Sequence, residues 1–350
     1  MLHLLSLIVG IAATLLVFWL RRATPRKRHS SARQKQLLPP TNDHKRFHEG
    51  IQGQQMSPED LEIGPLVGQG SFGQVYRGRW KGTNVAVKIL QHGIAGQASN
   101  VAVAREKMIG LASVHPNVVA VYAVLTEEPR RRFSIADPHA SEGSSLKTSI
   151  VMELCDRGSL LHMRERIWGV MKQDYQKGLL WVLKCLLEIV FGMEYLHSIS
   201  IVHGDLKCAN VLCSSKLMDA RGFVCKISDF GLARTSRDQV EMHSSSPGTA
   251  LFAAPELLSA GSLGAHSDVY SFGMVAWHLL SMGSTAADLE EYQVRYQVVE
   301  QGWRPPFPHQ TPEFMQDIVS RSWSDDRAQR PSFTEIRGLL TPYLMAIRAD

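Results

Sequence analysis

The sequence predicts an α+β fold in which a smaller strand-rich part is followed by a larger helical part. Three observations support this fold class. Strand-like runs punctuated by glycine occupy residues 61–90, and from Leu160 onward the apolar residues recur mostly at helical spacing. The chain has 350 residues and is 44% hydrophobic, which is ample for two separate cores.

The expected elements follow in order along the chain. The first three strands are predicted near Leu61–Val67, Gln74–Arg79 and Val85–Leu90. A helix suits Ser99–Leu111, and His115-Pro-Asn117 turns into a further pair of strands. Residues 126–148, rich in Arg, Ser, Pro and Glu, predict a loop insertion between that pair. Later helices are predicted at Leu179–Leu196 and Val269–Met282.

A glycine-rich turn joins the first two strands, within Leu66-Val-Gly-Gln-Gly-Ser-Phe-Gly-Gln-Val-Tyr76. Glycine allows close approach, so backbone N–H groups can cover phosphate oxygens. The pattern also suits an ordinary turn, and it opens dinucleotide-binding folds when a helix follows. Here Gln74–Arg79 continues as a strand, which favours a hairpin over a nucleotide. A P-loop is disfavoured because the sequence lacks G-x-x-x-x-G-K-[ST].

Lys88 is the single cation of the apolar strand Val85-Ala-Val-Lys-Ile-Leu90. A lysine in such a strand is costly unless its ammonium meets an anion. Glu106 is the only carboxylate of the predicted helix at 99–111 and could steady Lys88 against phosphates. The alternative is an edge-strand lysine that points into solvent.

Three further segments carry polar residues in a fixed order, namely Val202-His-Gly-Asp-Leu-Lys-Cys-Ala-Asn-Val-Leu212, Ser228-Asp-Phe-Gly231 and Ala254-Pro-Glu256. Together with the glycine-rich turn and Lys88, they resemble the protein kinase family, and more narrowly its tyrosine-kinase-like serine/threonine branch. The resemblance covers about residues 58–346. It implies a two-lobed protein kinase fold with a small β-rich N-lobe at 58–154 and a larger helical C-lobe at 155–346.

The resemblance also implies a reaction that uses ATP and Mg²⁺. Asp205 would orient the substrate hydroxyl and accept its proton, Lys207 would lie beside the γ-phosphate, and Asn210 and Asp229 would hold Mg²⁺. Lys207 and Thr249 resemble the residues that line the hydroxyl-accepting side in serine/threonine kinases. We therefore expect transfer to serine and threonine hydroxyls of proteins.

The implied nucleotide pocket has a roof, formed by Val75 and Ala86, and also a floor and an edge. Leu212 would form the floor, and Glu153 C=O and Cys155 N–H would face the adenine edge. Met152 would be the gatekeeper, whose long thioether narrows the pocket behind the base. The glycine-rich turn and its neighbouring strands would contribute the remaining contacts, from Val67, Gly68, Gly70, Ser71, Phe72, Gly73, Val75, Ala86 and Lys88.

Other matching residues are expected to be structural. Asp268 would hold the backbone of the catalytic loop, His203 and Phe230 would pack beneath the site, and Glu256 would pair with Arg330.

Two positions depart from the family pattern. Gly204 replaces the usual arginine and has no side chain to pair with a phosphate on the activation segment. Gly110 replaces an aliphatic side chain that would pack on Phe230. The alternatives to a serine/threonine kinase are a dual-specificity or tyrosine kinase and a catalytically weak pseudokinase scaffold. The scaffold is disfavoured because Asp205 and the two predicted metal ligands are all present.

The N-terminal residues predict a location. Leu2–Leu20 is an uncharged apolar run whose ~19 residues at ~1.5 Å rise would span ~28 Å as a hydrophobic helix. Arg21-Arg-Ala-Thr-Pro-Arg-Lys-Arg28 follows, and such cations stay on the cytoplasmic side. We expect a transmembrane anchor at 1–20, a basic disordered linker at 21–57 and a cytoplasmic kinase domain in a single-pass membrane protein. A signal or organelle-targeting segment is the alternative.

Charge and cysteine content constrain the partners. Of the 38 basic and 33 acidic residues, nine basic and one acidic lie at 21–46, which leaves 29 against 32 elsewhere. This distribution argues against a nucleic-acid role and favours either contact of 21–46 with anionic lipid or a solvated linker. The five cysteines lack zinc-finger spacing, so we expect reduced thiols in a cytosolic domain.

Overall fold

The computed structural model describes residues 60–70, 73–93, 114–127, 145–229, 234–235, 250–281 and 291–347. All of them belong to one unit of the chain, Ile51–Asp350. The strands are β1 (Leu61–Gly70), β2 (Gly73–Trp80), β3 (Thr83–Gly93), β4 (Val121–Glu127), β5 (Ser145–Glu153), β6 (Ile201–Val202), β7 (Val211–Ser215), β8 (Phe223–Ile227) and β9 (Arg234–Thr235). The α-helices are α1 (Leu160–Gln173), α2 (Tyr175–Ser198), α3 (Pro255–Ala260), α4 (Ala265–Leu280), α5 (Glu291–Glu300), α6 (Glu313–Ser322) and α7 (Phe333–Ile347).

The first five strands form one antiparallel sheet in the order β1-β2-β3-β5-β4. β1 and β2 pair directly, with Gly70 opposite Gly73, so the predicted hairpin is confirmed and a strand-to-helix dinucleotide turn is excluded. β3 lies in the middle, where Lys88 stands between Val75 and Ile150. This position rules out the edge-strand alternative for Lys88.

The two faces of β3 bury different residues because side chains alternate along a strand. Val85 and Val87 join Trp80 and Val151 in one small cluster. Leu90, on the opposite face, packs with Val121 and Ile150 in another. Lys88 shares that second face, which brings an ammonium group into an apolar surrounding and makes an anionic partner necessary.

The helical part packs around α2, which spans 24 residues and confirms the helix predicted at Leu179–Leu196. Asp174 begins the helix by accepting a hydrogen bond from Lys177 N at 3.0 Å. α4 confirms the second predicted helix and is buried along almost its whole length. One large apolar cluster contains residues of both helices together with those of α1, α6 and α7. This core supports the loop between β6 and β7, which contains most of the first of the three polar sequence segments.

A short segment connects the sheet to β8. Val118 forms a parallel bridge with Ile227, and Val119 N donates to Ile227 O at 2.8 Å. Glu153 N, at the end of β5, donates to Ala120 O at 2.8 Å. The strand that leads to Asp229 is therefore attached by main-chain hydrogen bonds to the end of the five-stranded sheet.

The predicted membrane localisation is corrected. Across the ranges that the structure describes, no helix combines the length and the apolar character needed to cross a bilayer. This finding overturns the single-pass assignment, and we retain neither the hydrophobic N-terminal helix nor the lipid contact. The predicted anchor at 1–20 and linker at 21–57 themselves lie outside the described residues.

The other boundaries predicted from the sequence have different outcomes in the structure. β4 ends at Glu127 and β5 begins at Ser145, so both ends of the predicted insertion at 126–148 are strand. Residues 128–144 lie outside the described ranges, as does the predicted helix at 99–111. The lobe boundaries at 58–154 and 155–346 remain predictions. All five cysteines are free of disulfides, as the sequence predicted.

Candidate active site

The glycine-rich turn follows the antiparallel register of β1 and β2, in which Gly68 lies opposite Val75. Gly73 has a φ of +134°, and a Cβ built there would lie 2.4 Å from Ile89 O. Only glycine fits where β2 approaches β3 this closely. Val67 is 55% exposed, and Ser71 and Phe72 lie outside the described residues.

Lys88 meets the anion that its position requires. Its Nζ lies 2.9 Å from Asp229 Oδ1, and its side chain is only 8% exposed. Burial by itself raises the pKa of Asp229, but the charge of Lys88 and its hydrogen bond outweigh burial, so the pKa stays below its usual value. Asp229 is therefore ionised at neutral pH, and its carboxylate oxygens could bind a cation.

The loop between β6 and β7 gathers three polar side chains. Lys207 Nζ lies 2.9 Å from Asp205 Oδ2. Asn210 Nδ2 donates to Asp205 O at 2.7 Å and to Asp205 Oδ2 at 2.9 Å. Both amide hydrogens of Asn210 are thus used within the loop, which leaves its Oδ1 as the atom available to a ligand. Among the residues that the structure describes, the buried Asp205 Oδ1 has no hydrogen-bond partner.

Main-chain hydrogen bonds bring Asp229 to this loop. Ser228 N donates to Asn210 O at 2.9 Å, and Ser228 Oγ donates to the same oxygen at 2.8 Å. His203 Nε2 donates to Ser228 O at 3.0 Å, while His203 Nδ1 accepts from Asp205 N at 3.2 Å. These two partners assign the neutral tautomer with hydrogen on Nε2. His203 thus ties the Asp205 backbone to the residue before Asp229.

The two structural pairings predicted from sequence are confirmed. Asp268 accepts hydrogen bonds from His203 N and Gly204 N, both at 2.8 Å. Glu256 and Arg330 form a buried bidentate pair with distances of 2.7 and 2.9 Å. Gly204 has a φ of +78°, a conformation that glycine adopts without strain.

The predicted adenine walls come from three strands. Ala86 of β3 lies opposite Met152 of β5 and is 7% exposed, whereas Leu212 of β7 bridges to Ser159. Burial raises the pKa of the Cys155 thiol to about 12, and neighbouring Glu153 acts in the same direction. Cys155 is therefore a neutral thiol rather than a nucleophile.

A protein-family model described as "Protein tyrosine and serine/threonine kinase" matches residues 61–340. The chain belongs to this protein kinase family. ATP with Mg²⁺ is the usual cofactor pair of the family. The β-sheet and helical parts described above are accordingly the N-lobe and C-lobe of a two-lobed kinase domain.

Individual relatives agree with the family match. The chain is 32% identical over 285 residues to "Probable serine/threonine-protein kinase SIS8" of Arabidopsis thaliana, covering 81% of this chain and 25% of that protein. It is 30% identical over 287 residues to "Dual specificity protein kinase splA" of Dictyostelium discoideum, covering 79% of this chain and 11% of that protein. It is also 30% identical over 297 residues to "Dual specificity protein kinase shkD" of the same organism, covering 84% and 36%. The chain thus spans about a tenth to a third of these relatives' lengths.

Some predicted kinase residues are not described by the structure. Glu106 and Thr249, and the packing residues Gly110 and Phe230, lie outside the described ranges. The predicted contact of Glu106 with Lys88 and the role of Thr249 therefore stay predictions.

Two polar contacts of the kinase domain were missed by sequence analysis. Lys226, on β8, lies 3.0 Å from Glu153 Oε2 and is buried. A lone cation in the apolar run Phe223-Val-Cys-Lys-Ile227 was the available signal, of the same kind that identified Lys88. His197 lies 2.8 Å from Asp268 Oδ2 and had no comparable signal, because 71 residues separate the two.

Proposed function

We propose that this chain is an ATP-dependent protein kinase that transfers the γ-phosphate to serine and threonine hydroxyls of proteins. The observation that carries the proposal is the loop in which Asp205 is contacted by both Lys207 and Asn210. Asp205 Oδ1 is buried and has no hydrogen-bond partner in the described part of the chain, so it is suited to accept a hydrogen bond from an incoming hydroxyl. The relatives named serine/threonine kinases and the identity of Lys207 support serine/threonine acceptors.

Two side chains of the site offer oxygen ligands of the kind that bind Mg²⁺. Asp229 supplies a carboxylate and Asn210 an amide oxygen, which are hard ligands of the kind this ion prefers. Among the described residues no group of three or more His, Cys, Asp or Glu side chains could hold a metal. Mg²⁺ is commonly held by one or two protein oxygens together with substrate phosphates. When bound, the ion neutralises charge on the transferring phosphate.

The side chains of the site then have separate roles in transfer. Asp205 holds the acceptor hydroxyl and takes its proton as the hydroxyl oxygen bonds to the γ-phosphorus, while the bond from that phosphorus to the bridging oxygen breaks and ADP leaves. Lys207 and Lys88 place positive charge beside the phosphate oxygens, whose charge is spread in a loose transition state. Gly73 lets the β1–β2 hairpin lie close to β3, so that backbone N–H groups can cover the phosphates.

Two further hypotheses, on acceptor specificity and on the branch of the family, belong to this proposal. Relatives named dual specificity kinases favour some tyrosine transfer as the second candidate. We also propose membership of the tyrosine-kinase-like branch, on the basis of the glycine-rich turn, Lys88 and the three polar segments that carry the resemblance. The pseudokinase alternative is disfavoured because the ionised Asp229 and the polar loop are both intact.

The test is an assay of the full chain with Mg-ATP and mixed peptide acceptors, in which phosphoserine, phosphothreonine and phosphotyrosine are measured separately. We expect Asp205→Asn and Lys88→Met to lower transfer by about 100-fold or more, since proton transfer and charge neutralisation are lost. Exposed Asp317→Asn and Lys172→Met are matched controls that should leave transfer unchanged. Equal turnover in wild type and both site variants would refute the proposal, and phosphotyrosine as the main product would favour the second candidate.

A further inference from the structure

Arg164 of α1 is a half-buried cation that has no anionic partner in the described part of the chain. Its Nε is buried, and among the described residues it has no hydrogen-bond partner. No carboxylate in those ranges lies within ion-pair distance of its guanidinium. The guanidinium instead lies over the Trp168 ring, with Cζ 4.3 Å from the ring centroid. A cation–π contact offsets only part of the cost of removing a guanidinium from water, so the N–H groups remain available to an anion.

The nearby His278 of α4 has the same property. Its Nδ1 is buried and lacks a hydrogen-bond partner across the ranges that the structure describes. The Trp168 indole attaches α1 to this part of α4, because its Nε1 donates to Leu279 O at 2.8 Å. The charge of Arg164 contributes to the lowered pKa of His278, which is consistent with this proximity. Two polar side chains with unused hydrogen-bonding capacity therefore lie in one region.

α1 connects Arg164 to the loop that carries Asp205. This helix packs on the turn Cys208–Asn210, which begins directly after Lys207. Burial raises the pKa of the Cys208 thiol to about 12, and the charge of Arg164 opposes that rise. Arg164 therefore lies within electrostatic reach of the proposed transfer site.

α4 connects His278 to the segment before α3. The His278 ring lies 5.6 Å from the ring of Phe252, in the turn Ala250–Phe252. Ser271 Oγ, also on α4, donates to Phe252 O at 2.8 Å and fixes that turn. The two side chains thus lie between this turn and the loop of Asp205. We expect a peptide whose hydroxyl reaches Asp205 to pass close to them.

The chemistry of the two side chains suits an anion. A guanidinium presents a planar fork of N–H donors that matches two oxygens of a carboxylate or a phosphate, and an imidazole can add one N–H. Both side chains are half-buried, so a ligand can reach them. We infer that Arg164 and His278 form a subsite for an anionic side chain of the protein substrate, either a carboxylate or a phosphate already present near the acceptor hydroxyl. This inference rests on the proposed function and specifies its substrate class.

The test uses the full chain with Mg-ATP and peptides that carry one serine among alanines. Each flanking position in turn holds Ala, Glu, phosphoserine or Lys. We expect wild type to prefer Glu and phosphoserine over Ala by about tenfold in kcat/KM at one flanking position, and to disfavour Lys there. Arg164→Met should abolish that preference by raising KM for the anionic peptides about tenfold, with kcat, KM for ATP and transfer to the all-Ala peptide unchanged.

Three further variants sharpen the test. Arg166→Met is the matched control and should keep the preference, since Arg166 is an exposed arginine of the same helix whose Cζ lies 5.4 Å from the Trp181 ring centroid. Arg164→Glu should reverse the preference toward Lys at the same position. His278→Phe retains an aromatic ring beside Phe252 and should reduce the preference less than Arg164→Met does; an unchanged preference would remove His278 from the subsite.

The outcomes separate this inference from the proposed function. If wild type transfers phosphate to none of the peptides, the proposed function fails. Fluorescence anisotropy with the same peptides, carrying alanine in place of the acceptor serine, then still decides whether Arg164 selects an anion. If wild type is active without an anionic preference at any position, or if Arg164→Met keeps that preference, the inference is overturned. An equal loss with neutral and anionic peptides also overturns it, because Arg164 would then have only a structural role.

Discussion

Removing Arg330 should destabilise the C-lobe far more than removing an exposed arginine. Arg330 Nη1 and Nη2 contact the two oxygens of Glu256 at 2.7 and 2.9 Å, and both side chains are at most 5% exposed. Arg330 Nε donates to Ser324 O at 2.8 Å, and Nη1 also donates to His266 O at 2.9 Å. Arg330→Met removes all four contacts and leaves the buried Glu256 carboxylate with only the half-exposed Arg327, whose Nε is 3.9 Å from Oε2.

The expected cost follows from this geometry. Breaking a buried ion pair by removing one partner costs about 3–5 kcal/mol of unfolding free energy, because the remaining charge is left in a low dielectric. Burial favours the protonated form of Glu256, but the Arg330 hydrogen bond outweighs burial and lowers its pKa. Because the pKa of Glu256 is lower in the folded state than its unfolded value of 4.5, the carboxylate stabilises the fold at pH values above 4.5. This stabilisation is lost as the pH falls through the folded pKa. Arg330→Met should remove that acid dependence.

Urea denaturation at neutral pH measures the effect. The matched control is Arg337→Met, whose pair with Glu194 is 3.3 Å long with side chains 46% and 24% exposed. An exposed pair of this kind contributes about 0–1 kcal/mol. The double variant with Glu256→Gln should recover part of the loss, because no unpaired charge remains. The reasoning is refuted if Arg330→Met costs no more than Arg337→Met.

Two further predictions concern the acid stability of the fold and the affinity for ATP. Burial and the charge of Arg164 lower the pKa of His278 to about 4. Between pH 6.5 and 4 the unfolded state therefore binds more protons than the folded state. The free energy of unfolding should fall as the pH drops through this range. His278→Gln should abolish that fall in the free energy of unfolding, which is on the order of 2 kcal/mol. Denaturation at pH 7 and at pH 4 measures it. The same loss of stability at pH 4 in wild type and His278→Gln would contradict the role of His278. Gly73→Ala should weaken ATP binding at least about tenfold in a direct binding measurement, since its Cβ would meet Ile89 O at 2.4 Å. Gly169→Ala, in α1 with nothing within 4 Å, should bind ATP normally and gain about 0.5–1 kcal/mol, and equal ATP affinity in both variants would disprove the steric argument.

Local patterns predicted elements well where one physical constraint dominated. The run at Leu179–Leu196 is apolar at helical spacing, and the structure extends that helix only to Tyr175 and Ser198. The glycines between two strand-like runs predicted a hairpin, which the register of β1 and β2 confirms. The insertion boundaries were less accurate, because strand pairing with a neighbour extends β4 and β5 into polar sequence that has no strand signal of its own.

The residue types of the proposed site and their order were predictable from sequence alone, because phosphate binding and hydroxyl activation favour glycine, lysine, aspartate and asparagine at particular spacings. Which charges compensate one another became visible only in the folded chain. Lys88 contacts Asp229 across 141 residues, and His197 contacts Asp268 across 71. Such partners are selected by burial in a shared low-dielectric core, where an unpaired charge is expensive, and no local pattern records which distant segment will supply the opposite charge.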